Sequence, residues 1–252
     1  MKHLLSYIFI LSSLSAMSLP KVEEYLRDKT FWSQVAQDKF VFLVLYGICD
    51  KEGPGTYLEI GAAQPDLFNN TFFLEKEFGW KGISIEIVSD YVKDWKQKRR
   101  NTLLIQDALE VDYSKLLKDF PNEIDYLSLD VDDTYVEVLK KIPFERYKFK
   151  VITIEHDAYR FGDIYRNLER EFLEQRGYRL MVRNILDWVG QFEDWWVHES
   201  LLTNSLLKRW VDARYENIYG QQAADQIFFK FAREEKMNER RLKFLKQGGR
   251  KA

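Results

Sequence analysis

The segment TYLEIGAAQP, residues 56–65, joins a short apolar run to a turn of small residues. Residues 56–61 have the length and composition of a buried strand, and Gly61 ends it. Ala62 and Ala63 keep the turn tight, and a helix opens near Asn69 or Asn70. Such a turn lets a ligand approach both the backbone and the helix N-terminus. The segment therefore predicts a strand–turn–helix unit with a ligand site at its turn.

The same alternation of short apolar runs and helical stretches continues along the chain. The predicted strands are residues 56–61, 82–86, 102–107, 124–130 and 149–155. The predicted helices between or after them are residues 70–78, 89–99, 113–120, 134–141 and 162–176. Alternating strands and helices indicate right-handed βαβ units. We therefore expect an α/β fold with a doubly wound, mostly parallel, Rossmann-like sheet and helices on both faces.

The flanking segments follow other patterns. Residues 33–47 have helical spacing, with Ser33 as the expected N-cap. Another apolar run, residues 178–185, precedes the aromatic segment 192–197. Residues 201–215 have helical spacing, whereas residues 225–231 fit either a strand or a helix. These patterns add a helical C-terminal extension to the predicted sheet domain.

The two ends differ in composition from the rest of the 252 residues. Residues 1–20 form a hydrophobic leader, typical of a signal peptide or a membrane anchor. Residues 21–232 are predicted to form one domain, and residues 233–252 a basic tail of charge +5. We expect a cytoplasmic catalytic domain that contacts a membrane through residues 1–20, with export as the alternative.

Composition excludes several classes of function. The formal net charge is −2, with 38 basic and 40 acidic residues, so the overall charge gives no support to nucleic-acid binding. The single cysteine, Cys49, excludes an intramolecular disulfide and a cysteine-based zinc site. With three histidines in the chain, we expect no resident metal. The oligomeric state does not follow from these features.

An acidic residue stands at or next to the end of each predicted strand. These residues are Glu59, Glu86, Asp107, Asp130 and Glu155. The carboxyl ends of parallel strands share one sheet edge, where open α/β sheets bind ligands. Each acid alone could cap the helix that follows. All five together favour a site for a cationic or hydroxyl-rich ligand, or for a metal.

The first turn narrows the choice of ligand. It matches neither G-x-G-x-x-G nor the P-loop pattern, since Gly61 is its one glycine. Glu59, two residues before Gly61, suits a positively charged ligand and disfavours a bare phosphate. Glu86, at the end of the second predicted strand, is placed to accept both hydroxyls of a ribose. These features point away from nicotinamide dinucleotides and towards S-adenosylmethionine.

Residues 33–197 resemble the FkbM-type methyltransferase domain, of the seven-strand class of S-adenosylmethionine-dependent methyltransferases. The matching pieces are SQVAQDKFV (33–41), YLEIGAAQP (57–65), NNTFFLE (69–75), GWKGISIE (79–86), QDAL (106–109), YLSLDVDD (126–133), TIEHDAY (153–159) and EDWWV (193–197). The sequence departs from the family in its glycine-poor first turn and in having Asp132-Asp133 where many members have an acid–glycine pair.

The resemblance implies a role for each matching acid. Glu59, Gly61 and the neighbouring Ala62 would line the methionine end of the cofactor, Glu86 the ribose and Asp107 the adenine amino group. Asp130 and Glu155–His156 would face the acceptor, a small molecule or a glycan. Asp132 is predicted on the same acceptor side.

Methyl transfer to a hydroxyl also requires a base. His156 is the first candidate because histidine titrates near neutral pH, with Asp130 second and Glu155 beside them. A structural role for His156, bonded to a neighbouring carbonyl or capping a helix, stays open. Glu193, Asp194, Trp195 and Trp196 could hold a sugar or a cation. They could equally anchor the last strand in the core.

Two other functions remain as alternatives. Asp130-Val131-Asp132 also fits a nucleotide-sugar glycosyltransferase, in which an Asp-x-Asp motif holds a divalent cation. The leader and the glycine-poor turn also fit a non-catalytic Rossmann-like binding or trafficking module at a membrane. The five ordered carboxylates favour the methyltransferase.

Overall fold

A computed structural model describes residues 17–246 of the protein, and the predicted leader lies outside this range except for its last four residues. A single sheet runs through the described part of the chain. Its strands are β1 (Thr56–Ile60), β2 (Lys81–Glu86), β3 (Thr102–Ile105), β4 (Glu123–Leu129), β5 (Lys148–Glu155), β6 (Tyr178–Leu186), β7 (Gln191–His198) and β8 (Tyr215–Glu216).

The strand order across the sheet is β3-β2-β1-β4-β5-β7-β6-β8. Strands β1 to β5 are parallel, and β7 runs antiparallel between β5 and β6. The first five predicted strands and the mostly parallel sheet are confirmed. The aromatic segment around residue 195 forms the antiparallel β7, which pairs with β6 as a hairpin.

The helices precede, connect and follow these strands. The described α-helices are α1 (Leu19–Asp28), α2 (Gln37–Phe42), α3 (Phe72–Phe78), α4 (Val92–Lys98), α5 (Tyr113–Leu116), α6 (Tyr135–Lys141), α7 (Ala158–Phe161), α8 (Asp163–Glu174), α9 (Ser205–Ala213) and α10 (Gly220–Lys246). Helix α2 continues into a π-helical turn, Leu43–Ile48. Residues 225–231 are helical, and α10 runs without a break through position 232.

The sheet separates two apolar cores, as expected for a doubly wound fold. On one face, α1, α2, α9 and α10 pack against alternate strand residues such as Tyr57 and Val151. On the other face, α5, α6 and α8 pack against the intervening residues, such as Leu58 and Ile152. Alternation along each strand sends successive side chains to opposite cores. The predicted helices on both faces are confirmed.

A helix that crosses a bilayer must be long enough and apolar enough to span its hydrocarbon core. Within residues 17–246, none combines the length and the apolar character that crossing a membrane requires.

Candidate active site

A cavity of about 470 Å³ opens at the carboxyl ends of β1, β2 and β4. Strands β2 and β3 lie on one side of β1, and β4 and β5 on the other, so β1 and β4 flank the switch point of the sheet. The lining residues are Gly61, Ala63, Ile85, Glu86, Ile87, Val88, Gln106, Asp107, Ala108, Leu109, Asp130, Val131, Asp132, Asp133 and Thr134.

Gly61 allows β1 and β4 to end close together at this cavity. Its φ is +82°, and a β-carbon built there would lie 1.6 Å from the carbonyl oxygen of Asp130. The Gly61 and Ala62 amides both donate to the Ile85 carbonyl, at 2.9 and 3.1 Å. The glycine predicted to end the first strand therefore fits a position that a side chain would block.

Glu86 ends β2 with its carboxylate tied to the backbone of two neighbouring loops. Its Oε2 accepts from the Ala63 amide at 2.7 Å, and its Oε1 accepts from the Val88 amide at 2.9 Å. Each carboxylate oxygen has two lone pairs, so both keep the capacity to accept another hydrogen bond. The carboxylate is therefore fixed in orientation and can still bind a pair of hydroxyls.

Asp107 lines the same cavity after β3. Its Oδ1 accepts from the Leu109 amide at 2.8 Å and caps the 3₁₀ turn Ala108–Glu110. Asp107 therefore caps the turn with one carboxylate oxygen and can present the other to the cavity.

Glu59 lies behind the cavity wall in a buried polar row. It is adjacent in register to Ser84 and Ser128, and its Oε2 accepts from Ser84 Oγ at 2.5 Å and from Thr71 Oγ1 at 2.9 Å. Burial raises the pKa of Glu59, and the Arg99 guanidinium opposes that rise. Ala62 is also buried, and its carbonyl accepts from Asn69 Nδ2 at 3.1 Å. The two residues support the turn from behind.

Arg99, which the sequence patterns did not single out, holds the loop of residues 62–71. Its side chain is fully buried, and its Nε donates to Glu75 Oε2 at 2.6 Å. The two terminal nitrogens donate to the Pro65 carbonyl, Asn69 Oδ1, Tyr57 Oη and Thr71 Oγ1 at 2.8–3.0 Å. A basic pair at the end of a helix carries no sequence signal for such a role.

Asp130 and Glu155 form a pair of acids at the ends of the neighbouring strands β4 and β5. Burial raises the pKa of both carboxyls. The Asp130 charge raises the pKa of Glu155 further. Two buried carboxyls that interact strongly share one proton instead of both ionising. Asp130 also lines the cavity, so the pair presents a carboxylate of raised basicity there.

His156 lies next to this pair in the chain but not on the cavity wall. It is buried, and its Nδ1 accepts from the Ala158 amide at 3.1 Å. Its Nε2 faces Asp194 Oδ1 at 3.5 Å. Burial would raise the pKa of Asp194, but His156 and Arg170 lower it overall. These contacts match the structural alternative for His156 and leave its ring off the cavity wall.

The Glu193–Trp196 segment lies in the core of β7. Trp195 is fully buried and stacks on Phe40 with ring centroids 4.4 Å apart, while Trp196 Nε1 donates to Glu169 at 2.9 Å. Glu193 accepts from Gln37 and from the Trp195 indole, and burial raises the pKa of Glu193 to about 8. These contacts match the core-anchoring alternative and put none of the four side chains on the cavity wall.

Asp132 is on the wall but points to solvent. It has a φ of +46°, and its Oδ1 accepts from Arg160 Nη1 at 3.1 Å. Across residues 17–246, His, Cys, Asp and Glu side chains nowhere assemble in threes with a geometry suited to a metal ion. Asp130 and Asp132 therefore take different partners, a carboxyl and a guanidinium.

Two exposed aromatic side chains lie at the β6–β7 turn or against it. Trp188, 86% exposed, stands at the β6–β7 turn, where Asp187 Oδ1 accepts from the Val189 and Gly190 amides. Tyr159 packs against that turn, because a β-carbon on Gly190 would lie 2.9 Å from the Tyr159 β-carbon. The turn borders a hollow of about 370 Å³. A single hairpin Trp gave no signal in the sequence.

The comparisons with known proteins bear on this site. The family model described as the methyltransferase FkbM domain matches residues 95–180. This confirms the resemblance over a third of the chain, a stretch that includes Asp107, Asp130 and Glu155 and lies after Gly61 and Glu86. No curated protein matches the chain.

Three of the similar solved structures are described as methyltransferases. An RNA methyltransferase from Salinibacter ruber in complex with S-adenosyl-L-homocysteine is 14% identical, with 67% of this chain and 93% of that one covered and a TM-score of 0.39. A SAM-dependent methyltransferase from Archaeoglobus fulgidus is 15% identical, with 77% of this chain and 93% of that one covered and a TM-score of 0.39. A SAM-dependent O-methyltransferase from Thermotoga maritima is 13% identical, with 72% of this chain and 71% of that one covered and a TM-score of 0.42.

Proposed function

We propose that this protein is an S-adenosylmethionine-dependent methyltransferase that methylates a hydroxyl of a small molecule or a glycan. The cavity at the switch point binds the cofactor, and the acceptor approaches over the Asp130–Glu155 pair. The match of residues 95–180 to the methyltransferase model supports the reaction class.

The charge of the cavity wall is the observation that carries the proposal. Four carboxylates in addition to Asp130 line the cavity, and the lining residues, all in the described part of the chain, include no Lys or Arg. The four are Glu86, Asp107, Asp132 and Asp133. Such a wall attracts a sulfonium or an ammonium group and repels a phosphate. S-adenosylmethionine carries both cations and no phosphate.

The fixed groups of the wall fit the uncharged parts of the cofactor as well. Glu86 would accept both ribose hydroxyls, because its orientation is set by the Ala63 and Val88 amides. Asp107 would accept from the adenine amino group through the oxygen that its cap leaves. Gly61 lets the ligand approach the backbone, since no side chain stands at the turn.

When bound, the cofactor supplies a methyl group on a sulfonium to a nucleophilic oxygen. Asp130 takes the proton that the acceptor hydroxyl loses, because it is the carboxyl with raised pKa on the cavity wall. Glu155 positions Asp130 and holds the shared proton between catalytic events. His156 takes no part, since its Nδ1 already accepts a hydrogen bond and its ring lies behind the wall.

The glycosyltransferase alternative fits the wall less well. A nucleotide diphosphate would add negative charge to an acidic cavity, and only a divalent cation could offset it. Asp132 pairs with Arg160, and Asp130 stands beside Glu155 at the end of the neighbouring strand. The two acids of the Asp-x-Asp motif therefore have other partners. A non-catalytic module would gain nothing from a buried acid pair that retains a proton at the cavity.

Transfer of a labelled methyl group tests the proposal. The full chain is incubated with methyl-labelled S-adenosylmethionine and a panel of hydroxyl-bearing small molecules and oligosaccharides. We expect label on oxygen, and a rate reduced at least about 100-fold in Asp130→Asn. The control Asp119→Asn removes an exposed carboxylate far from the cavity and should keep the full rate. Label on nitrogen or carbon, or an undiminished rate in Asp130→Asn, would contradict the proposal.

A further inference from the structure

The last turns of α10 leave the body of the protein and present a basic and apolar strip. From Lys236 to Lys243 every side chain is exposed. The strip, here called the basic face, consists of Phe229, Arg233, Lys236, Met237, Arg240 and Lys243. Because these residues recur every three or four positions, they share one side of the helix. Phe229 and Met237 are 65% and 56% exposed.

Two acids of the same helix point away from this strip. Glu234 is turned towards α9, where Arg209 Nη2 lies 2.7 Å from its Oε1. Glu235 is half-buried, so it lies on the side that faces the body. The exposed Glu239 borders the basic face beside Lys243. The basic face itself carries four cations and two large apolar side chains.

Helix α1 lies beside this face. Lys236 Nζ lies 3.8 Å from Glu23 Oε1 on α1, and α1 begins at Leu19. The hydrophobic leader of the sequence, whose apolar run covers residues 4–16, joins the described chain just before that helix. A leader that partitions into a bilayer would thus bring the lipid surface to the side of the molecule where α10 is basic.

We propose that the basic face of α10 docks on the surface of an anionic lipid bilayer. Four cations attract anionic headgroups, and the Phe229 and Met237 side chains can enter the boundary between headgroups and acyl chains. This inference does not depend on the proposed methyl transfer.

Binding to lipid vesicles tests it. The full chain is sedimented with vesicles of phosphatidylcholine alone and of phosphatidylcholine with a third phosphatidylserine. A variant with Arg233→Gln, Lys236→Gln, Arg240→Gln and Lys243→Gln is compared with a control of equal charge. The control changes four exposed lysines elsewhere, in Lys93→Gln, Lys96→Gln, Lys118→Gln and Lys140→Gln.

We expect the wild type and the control to prefer phosphatidylserine vesicles, and the basic-face variant to bind them at least about tenfold less tightly. The leader can bind both kinds of vesicle, so the difference between the two compositions is the readout. The proposal fails if the wild type binds both compositions equally or binds neither. It also fails if the variant and the control lose the same amount, because overall charge would then explain the effect.

Discussion

Gly61 and Glu86 illustrate at the scale of single residues how backbone and side chain create the cavity. Gly61 lets β1 turn away within van der Waals reach of β4, and Glu86 ties the resulting loop to β2 through the Ala63 amide. A side chain at position 61 would collide with the Asp130 backbone, and a neutral group at position 86 would remove the charge that holds the Ala63 and Val88 amides.

The substitution Gly61→Ala tests the steric half of this arrangement. We expect it to lower the free energy of unfolding by at least about 2 kcal/mol more than Gly53→Ala does. Both glycines have positive φ, but the space around Gly53 is open, so Gly53→Ala costs only about 1–2 kcal/mol for its backbone conformation. Urea denaturation of the two variants gives the comparison, and equal losses would show that Asp130 does not restrict position 61.

At the scale of elements, the loop of residues 62–71 depends on a side chain from a different element. Arg99 follows α4, yet its guanidinium makes the contacts that hold this loop against β1 and α3. The loop contributes Ala63 to the cavity, so the shape of the cavity depends on a contact between segments far apart in sequence.

Arg99→Lys should therefore lower both stability and cofactor affinity. A lysine cannot reproduce the five-donor fork, and it leaves buried acceptors unpaired. We expect a loss of about 2–4 kcal/mol in the free energy of unfolding and a weaker affinity for S-adenosylhomocysteine. Arg100→Lys, at an exposed neighbouring side chain, should change neither. If the two variants behave alike in denaturation and titration, Arg99 does not hold the loop of residues 62–71.

The elements also show how far the sequence could predict the fold and the site. The first five strands were predictable because each is a short, largely apolar run between helical stretches, although β1, β4 and β5 are mostly buried while the edge strand β3 is half exposed. The acids at their ends followed from the shared edge of a parallel sheet. The orientation of a side chain did not follow, since Glu59 and His156 stand as close in sequence to the turns as Glu86 and Asp130 do. Only packing turns the first two away from the cavity.

Long-range partners were equally invisible in the sequence. Ser33 was the expected N-cap of the helix predicted at residues 33–47, but the helix begins at Gln37. Ser33 Oγ accepts from the Asp38 amide at 3.2 Å, and the Asp38 carboxylate accepts from the Trp32 and Ser33 amides. The EDWW segment reads as polar and aromatic. The partners that satisfy it, Gln37, Glu169 and Arg170, come from α2 and α8.

The whole molecule buries an unusual set of carboxyls whose pKa values are raised. Within residues 17–246 they are Asp38, Glu59, Asp130, Glu155, Asp157, Glu169 and Glu193, whereas the pKa of buried Asp194 is lowered. A carboxyl with a raised pKa keeps its proton in the folded state at a pH where the unfolded chain has lost it. Its contribution to stability is complete below the ordinary carboxyl pKa and declines as the pH rises through the raised value.

We therefore expect the free energy of unfolding to fall by at least about 2 kcal/mol between pH 5 and pH 8. Glu193, with a pKa of about 8, supplies part of that slope. In Glu193→Gln the slope should be shallower by up to about 1.4 kcal/mol per pH unit. Glu137→Gln, at an exposed acid, should leave the slope unchanged. Denaturant titrations at several pH values check this, and a stability that rises towards pH 8 would refute it.

We propose that the acidic cavity at the ends of β1, β2 and β4 binds S-adenosylmethionine. Calorimetric titration of the full chain with S-adenosylhomocysteine measures binding of the cofactor product directly. We expect micromolar affinity in the wild type and in the exposed-acid control Glu110→Ala. Glu86→Ala should bind about 1–3 kcal/mol more weakly through the lost charge-assisted hydrogen bonds. An absence of binding by the folded protein, or binding of UDP that requires Mn²⁺ instead, would contradict the account.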